Sequence, residues 1–399
     1  MPAAPTRGWG WAAHLREGGT TPWAAWSEPA TPFTTDHLPG AEMLELLRRL
    51  NETTRARSSG ELARPLAPSE GVTARSAETG PSDPDRVDAL LRTSPPGRGR
   101  RDLPLLGDTE TRTYGPLPVD PATLSARELL RAASVLLAED LLATVETAPT
   151  RRPRRWSRRP KKSQPEQEKF PYRLVGSPWL TLPIREELER QGRLPGADGY
   201  TVYVLGGPLD EVAAGAWKFR TFTNRVNPWH IWIRDAQWRG WLGPRADLPR
   251  IARWWARRVG KDRVEIVTDP ALLPGLLGVD SLPGPWPISA EGNEVARVIG
   301  QVLSVRTDLE TQRKLLVDRL RPRLEKLEPL VPDAREVGVP AESLPWLETQ
   351  ARAQRDALVR AGYALHGDPD RLLPSGAATQ GPDECRALAL ALSLLAGRS

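Results

Sequence analysis

The stretch Tyr200-Thr-Val-Tyr-Val-Leu-Gly-Gly-Pro-Leu-Asp-Glu-Val-Ala-Ala-Gly-Ala-Trp-Lys-Phe219 decides the fold of this chain. Tyr200 to Leu205 is a short run dense in β-branched and aromatic residues, the pattern of a buried strand, and Gly206-Gly207-Pro208 breaks it. Leu209 to Phe219 follows with helical periodicity. A tryptophan-rich segment, Trp229 to Trp241, comes next, then a basic helix from Asp247 to Gly260 and a second strand, Arg263-Val-Glu-Ile-Val-Thr268. Strand, turn, helices, strand is the order of an α/β unit with a parallel sheet. The Gly-Gly-Pro turn ends a strand on the side where open α/β sheets place ligands.

Immediately upstream the same grammar recurs. Tyr172-Arg-Leu-Val175 is a short strand, Gly176-Ser177-Pro178-Trp179-Leu180 a turn, and Leu182 to Gln191 a helix stopped by Gly192. The two units lie about thirty residues apart, the scale of a βαβ crossover. This spacing predicts Val175 and Val204 on neighbouring parallel strands. In the helix from Asp247, Leu248, Ile251, Ala252, Trp255 and Val259 share one face, while Arg250, Arg253 and Arg257 line another. Asp247 suits the N-cap, and sheet cover is the expected role of the apolar face. An arginine-lined phosphate wall and a membrane-surface helix are the alternatives.

Residues 172–305 resemble the nucleotide-dependent sulfotransferases in a degenerate form. That family opens with a strand, then Gly-x-Pro-(Arg/Lys)-(Ser/Thr)-Gly-(Ser/Thr)-(Ser/Thr), then a helix. Gly176-Ser177-Pro178 matches the first three positions, Trp179 stands where the cation belongs, and Leu180 to Pro183 replace the rest. Of the family's later Arg-Asp-Pro only Pro208 survives. Trp217 lies near its expected aromatic, with Ala214 or Gly215 in place of its serine. The resemblance implies a sulfotransferase-like parallel sheet with covering helices. If the donor site survives, it implies an adenine nucleotide held at Gly176, Ser177, Gly206 and Gly207. It also implies an acceptor base, for which His230 and Glu211 are the candidates near the turn. The missing cation matters because preorganised charge carries most of such catalysis. We therefore expect either a pseudoenzyme that binds or scaffolds, or an active transferase with an atypical donor site.

Around this unit the chain is expected to be helical. Residues 1–147 form a helical N-terminal domain with a flexible excursion at 51–85, and 306–399 a helical C-terminal region. Met43 to Leu50 is amphipathic, and the helix from Ser125 opens with a capping box, Ser125 with Glu128. Glu17-Gly-Gly-Thr-Thr-Pro-Trp23 could hold a phosphate, but a helix closed by Gly18 with Trp9, Trp11, Trp23 and Trp26 as core fits better. Residues 148–170 form a basic linker, and Arg151 to Lys162 places eight cations in twelve positions. That strip is a self-repelling spacer or a weak polyanion contact, which would make the protein nucleic-acid-associated. The helical regions offer a protein partner a surface.

Composition excludes several classes. There is one cysteine, Cys385, expected to pack on an apolar stripe, so no internal disulfide and no cysteine-based zinc site exists. Four scattered histidines argue against a histidine metal site. No signal-peptide core and no transmembrane segment is legible, so a cytoplasmic protein is expected. The net charge of +6 is modest, and the preference for arginine over lysine resembles the usage of a GC-rich bacterial genome.

Overall fold

The computed structural model describes residues 7–27, 38–58, 87–88, 90–91, 103–108, 116–146, 169–327, 335–375 and 381–397. The basic strip Arg151–Lys162 and most of the 51–85 excursion lie outside them. Six strands are described: β1 (Lys169–Phe170), β2 (Tyr172–Gly176), β3 (Leu194–Pro195), β4 (Thr201–Leu205), β5 (Val264–Val267) and β6 (Ala364–His366). β2, β4, β5 and β6 form a parallel sheet in that order, while β1 and β3 make a two-stranded pair. Val175 is the register partner of Val204, as the spacing predicts, and Val204 in turn of Ile266.

The helices of this half are α4 (Pro178–Arg190), α5 (Leu209–Thr223), α6 (Trp229–Trp238), α7 (Leu248–Val259), α8 (Leu273–Leu277) and α12 (Leu344–Ala361). Leu174, Tyr203 and Val267 on one sheet face pack with Ile184 and Leu188 of α4 and Leu273 of α8. Val202, Val204 and Ile266 on the other pack with Leu248, Ala252 and Trp255 of α7 and Leu358 of α12. The basic helix α7 thus covers the sheet, and its cap is present: Asp247 accepts from the Arg250 amide at 3.0 Å. α4 starts earlier than the sequence suggests, because Ser177 takes the N-cap position and Pro178 the first helical one, where a missing N–H costs nothing.

From β2 to β6 the chain steps across the sheet in one direction. Its first return packs α4 on the Leu174 face and its second packs α7 on the Val204 face, while the third carries α8 against the former and α12 against the latter. The first two crossovers therefore do not share one hand, against the usual right-handed preference. The strand order never reverses, so the described strands hold no switch point of the kind that opens a ligand crevice in doubly wound sheets.

The remaining helices are α1 (Arg7–Arg16), α2 (Ala41–Ser58), α3 (Ala126–Glu146), α9 (Ala290–Leu303), α10 (Leu309–Lys314), α11 (Arg321–Leu327) and α13 (Glu384–Ala396). They share one core, in which Leu15, Leu44, Leu47, Leu130 and Leu137 meet Val295, Ile299, Leu324, Leu388 and Leu392. This core cuts across the boundaries drawn from sequence: segments from 7–146 and 290–397 build one bundle. The expected capping box is present, with the Glu128 carboxylate 2.9 Å from the Ser125 amide. The helical run from Ala290 is broken at Ser304–Asp308. It resumes at Asp308, whose side chain caps α10. A π-helical turn, Leu315–Leu320, precedes Pro322, where a lost N–H and ring bulk widen the helix. Cys385 is exposed rather than packed, since it falls on the outer side of the first turn of α13.

Candidate functional site

Gly176 and Leu205 end adjacent strands as register partners, so the two glycine turns do converge. Gly176 has φ +136°, and a Cβ there would collide with the Leu205 carbonyl oxygen. Gly206 donates its amide to the Val267 carbonyl at 2.8 Å. A Cβ on Gly206 would lie 2.6 Å from Leu248 Cδ1 and 2.9 Å from Leu372 Cδ2. These two glycines permit close packing of the protein on itself. Only Gly207 faces open space. Ser177 is buried, its carbonyl accepts from the Leu180 and Thr181 amides, and its Oγ has no protein partner.

Trp179, two residues after Ser177, is buried in the core shared with the helical bundle. It is 4% exposed, edge-on to Trp286 at 5.1 Å and stacked at 6.5 Å on Phe222. Folding supplies a cation that sequence proximity did not reveal, since Lys218 Nζ lies 5.5 Å from the Trp179 ring. That ammonium is already paired with Glu336. Asp210, in the first turn of α5, is also buried, and its Oδ2 accepts from Ser375 Oγ at 2.6 Å. A carboxylate at this helix N-terminus occupies the place that favours an anion.

The two candidate bases do not converge on the turns as a pair. His230 is exposed in the first turn of α6. Glu211 lies at the surface but is crowded on one side. The loss of hydration there, followed by the nearby Asp210 and Glu336 charges, raises its carboxyl above the ordinary value.

The larger opening lies elsewhere. A cleft of about 420 Å³ is lined by Arg220 of α5, Arg225 and Asn227 of the following loop, Trp232 and Arg239 of α6, and Gln301 of α9, among others. Its lone carboxylate is Asp235. A smaller cleft of about 190 Å³ shares Trp241, Leu242 and Gly243 with it and is walled by Asp247, Gln350 and Gln354. Gly176, Ser177, Gly206 and Gly207 line neither. The sequence does not assign these arginines to a site, although residues 217–245 carry six Lys or Arg against one Asp.

Among the described residues no group of His, Cys, Asp and Glu could hold a metal ion, and no helix is long and apolar enough to cross a membrane. No family model, no curated protein and no solved structure matches the chain.

Proposed function

We propose that this chain is a non-catalytic binding protein, sulfotransferase-like in the order of its α/β elements and eroded where a donor nucleotide would sit. One observation carries the proposal: Trp179, which stands where the family's loop cation belongs, is buried with Phe222 and Trp286 in one aromatic cluster. Three further features support it. Asp210 supplies a negative charge at the helix N-terminus where donor phosphate would need a positive field, and Lys218 is already matched by Glu336. Among the described strands the order of the sheet never reverses, so no switch point of the doubly wound kind is found there. The helical bundle then serves as a rigid scaffold rather than as a substrate lid.

Hydrogen–deuterium exchange with an adenine nucleotide, sulfated or not, tests the proposal site by site. Peptides covering 174–182 and 204–212 are expected to exchange at unchanged rates. Protection confined to those peptides, or transfer of a sulfuryl group to any acceptor, refutes it.

A further inference from the structure

We propose that the arginine-walled cleft between α5, α6 and α9 binds a small, multiply charged phosphate-bearing anion, a phosphate monoester or a diphosphate. The proposal is independent of the reading of the strand ends, because none of those residues lines this cleft.

Unmatched charge is the main argument. Several buried or half-buried guanidinium groups elsewhere have carboxylates, Arg48 with Glu45, Arg297 with Glu294 and Arg321 with Glu186, while Arg193 and Arg57 donate to backbone carbonyls instead. Arg220, Arg225 and Arg239 line one cleft, the last two exposed, and none is in salt-bridge contact with a carboxylate among the described residues, although Asp235 lines the same wall. Arg220 is half-buried, with its guanidinium 5.8 Å from the Trp232 ring. Arg245 anchors nearby on Phe219 at 5.5 Å. Burial first, then the charges of Arg245 and Arg239, lowers the Arg220 pKa from its ordinary value. A half-buried cation held among like charges is costly unless an anion relieves it.

The chemistry of the wall narrows the class. Each guanidinium presents a planar fork of donors matched to phosphate and carboxylate oxygens. A single carboxylate can satisfy one fork or two, whereas a phosphate or diphosphate has oxygens enough for three. The volume, about 420 Å³, suits a compact metabolite. Trp241, 45% exposed and shared by both clefts, offers a flat face to a planar body attached to the anion. Asp235 is then free to accept from a hydroxyl or amino group of that body.

The test is isothermal titration with inorganic pyrophosphate on the full chain, with Arg220→Gln and Arg239→Gln as cleft variants. Arg253→Gln, on the solvent side of α7, is the control. Saturable one-to-one binding is expected in the wild type. Each cleft variant should weaken it about tenfold or more, since a charge-assisted bond lost is worth that factor, and the control should leave it unchanged. Exchange protection should fall within 220–243. Without pyrophosphate, Arg220→Gln should keep or raise the melting temperature, because it relieves repulsion. Absence of saturable binding overturns the proposal. So does an equal loss in Arg253→Gln, a fall in stability of ligand-free Arg220→Gln, or tight binding of an RNA oligonucleotide with none of pyrophosphate.

Discussion

Replacing Trp179 by Ala should cost about 3–5 kcal/mol, the usual price of emptying a buried aromatic site. An aromatic side chain buries about 150–250 Å². At roughly 25 cal/mol per Å² that is about 4–6 kcal/mol, an upper value because unfolded chains already bury some surface. At 4% exposure Trp179 realises nearly all of its share. The loss should also remove the edge contact with Trp286 and the seat of the Lys218 ammonium. Urea unfolding followed by far-ultraviolet circular dichroism measures it, provided the slope against denaturant stays constant so that the shift reports native stability. Trp179→Phe should lose less than Trp179→Ala. A loss below about 1 kcal/mol in Trp179→Ala, the scale of surface changes, would show that the ring is not held in the core and would remove the main support for a non-catalytic protein.

Gly206→Ala should destabilise by about 1–3 kcal/mol through overpacking against Leu248 and Leu372, while Gly207→Ala should stay within about 0.5 kcal/mol; chemical denaturation of the pair separates the two glycines. Glu294→Ala should cost about 3–5 kcal/mol by leaving Arg297 buried without its partner 2.5 Å away, and a paired replacement of both by leucine should cost much less. Ser125→Ala should lose roughly 1 kcal/mol of helix stability, read by thermal melting. The Ser125 amide and hydroxyl lower the pKa of Glu128, so this contribution is fully present above the carboxylate's unfolded value and disappears as pH falls through the lower folded one. Stability of Glu128→Gln should accordingly depend less on pH across that acidic window than the wild type does.

The parts that sequence made legible are those decided by neighbours along the chain. The Asp247 cap, the Ser125–Glu128 box and the strand at Tyr200–Leu205 each rest on contacts or periodicity within a few residues. The Val175–Val204 pairing was legible because two equal units repeat at crossover distance. β6 was not: Ala364-Leu-His366 is too short to show alternation, and it is a strand because Val264–Val267 offers it an edge. The Lys218–Glu336 pair spans 118 residues and no local rule points to it. The cleft likewise needs Arg220, Arg239 and Gln301 brought together by packing of three helices. At the candidate site a side chain is excluded at Gly176 and Gly206 but not at Gly207, a difference the Gly-Gly-Pro run does not show. Whether ligand or protein excludes that side chain depends on Leu205, Leu248 and Leu372, which only the fold brings near.

The shared bundle core sets an order of events during synthesis. Arg57 of α2 donates to the Ser393 carbonyl of α13 across 336 residues, and Leu44 and Leu130 share a core with Leu388 and Leu392. Helices made early must wait for α13. At about 5–20 residues per second the delay is roughly 15–70 s on the ribosome, and in that interval the leucine faces of α2 and α3 have no native partner from α13. A nascent chain of this kind is expected to engage chaperones that shield apolar helices. Release of α13 should then close the bundle in a single late step, visible as abrupt protease resistance of α2 and α3 only after residue 397 has cleared the exit tunnel.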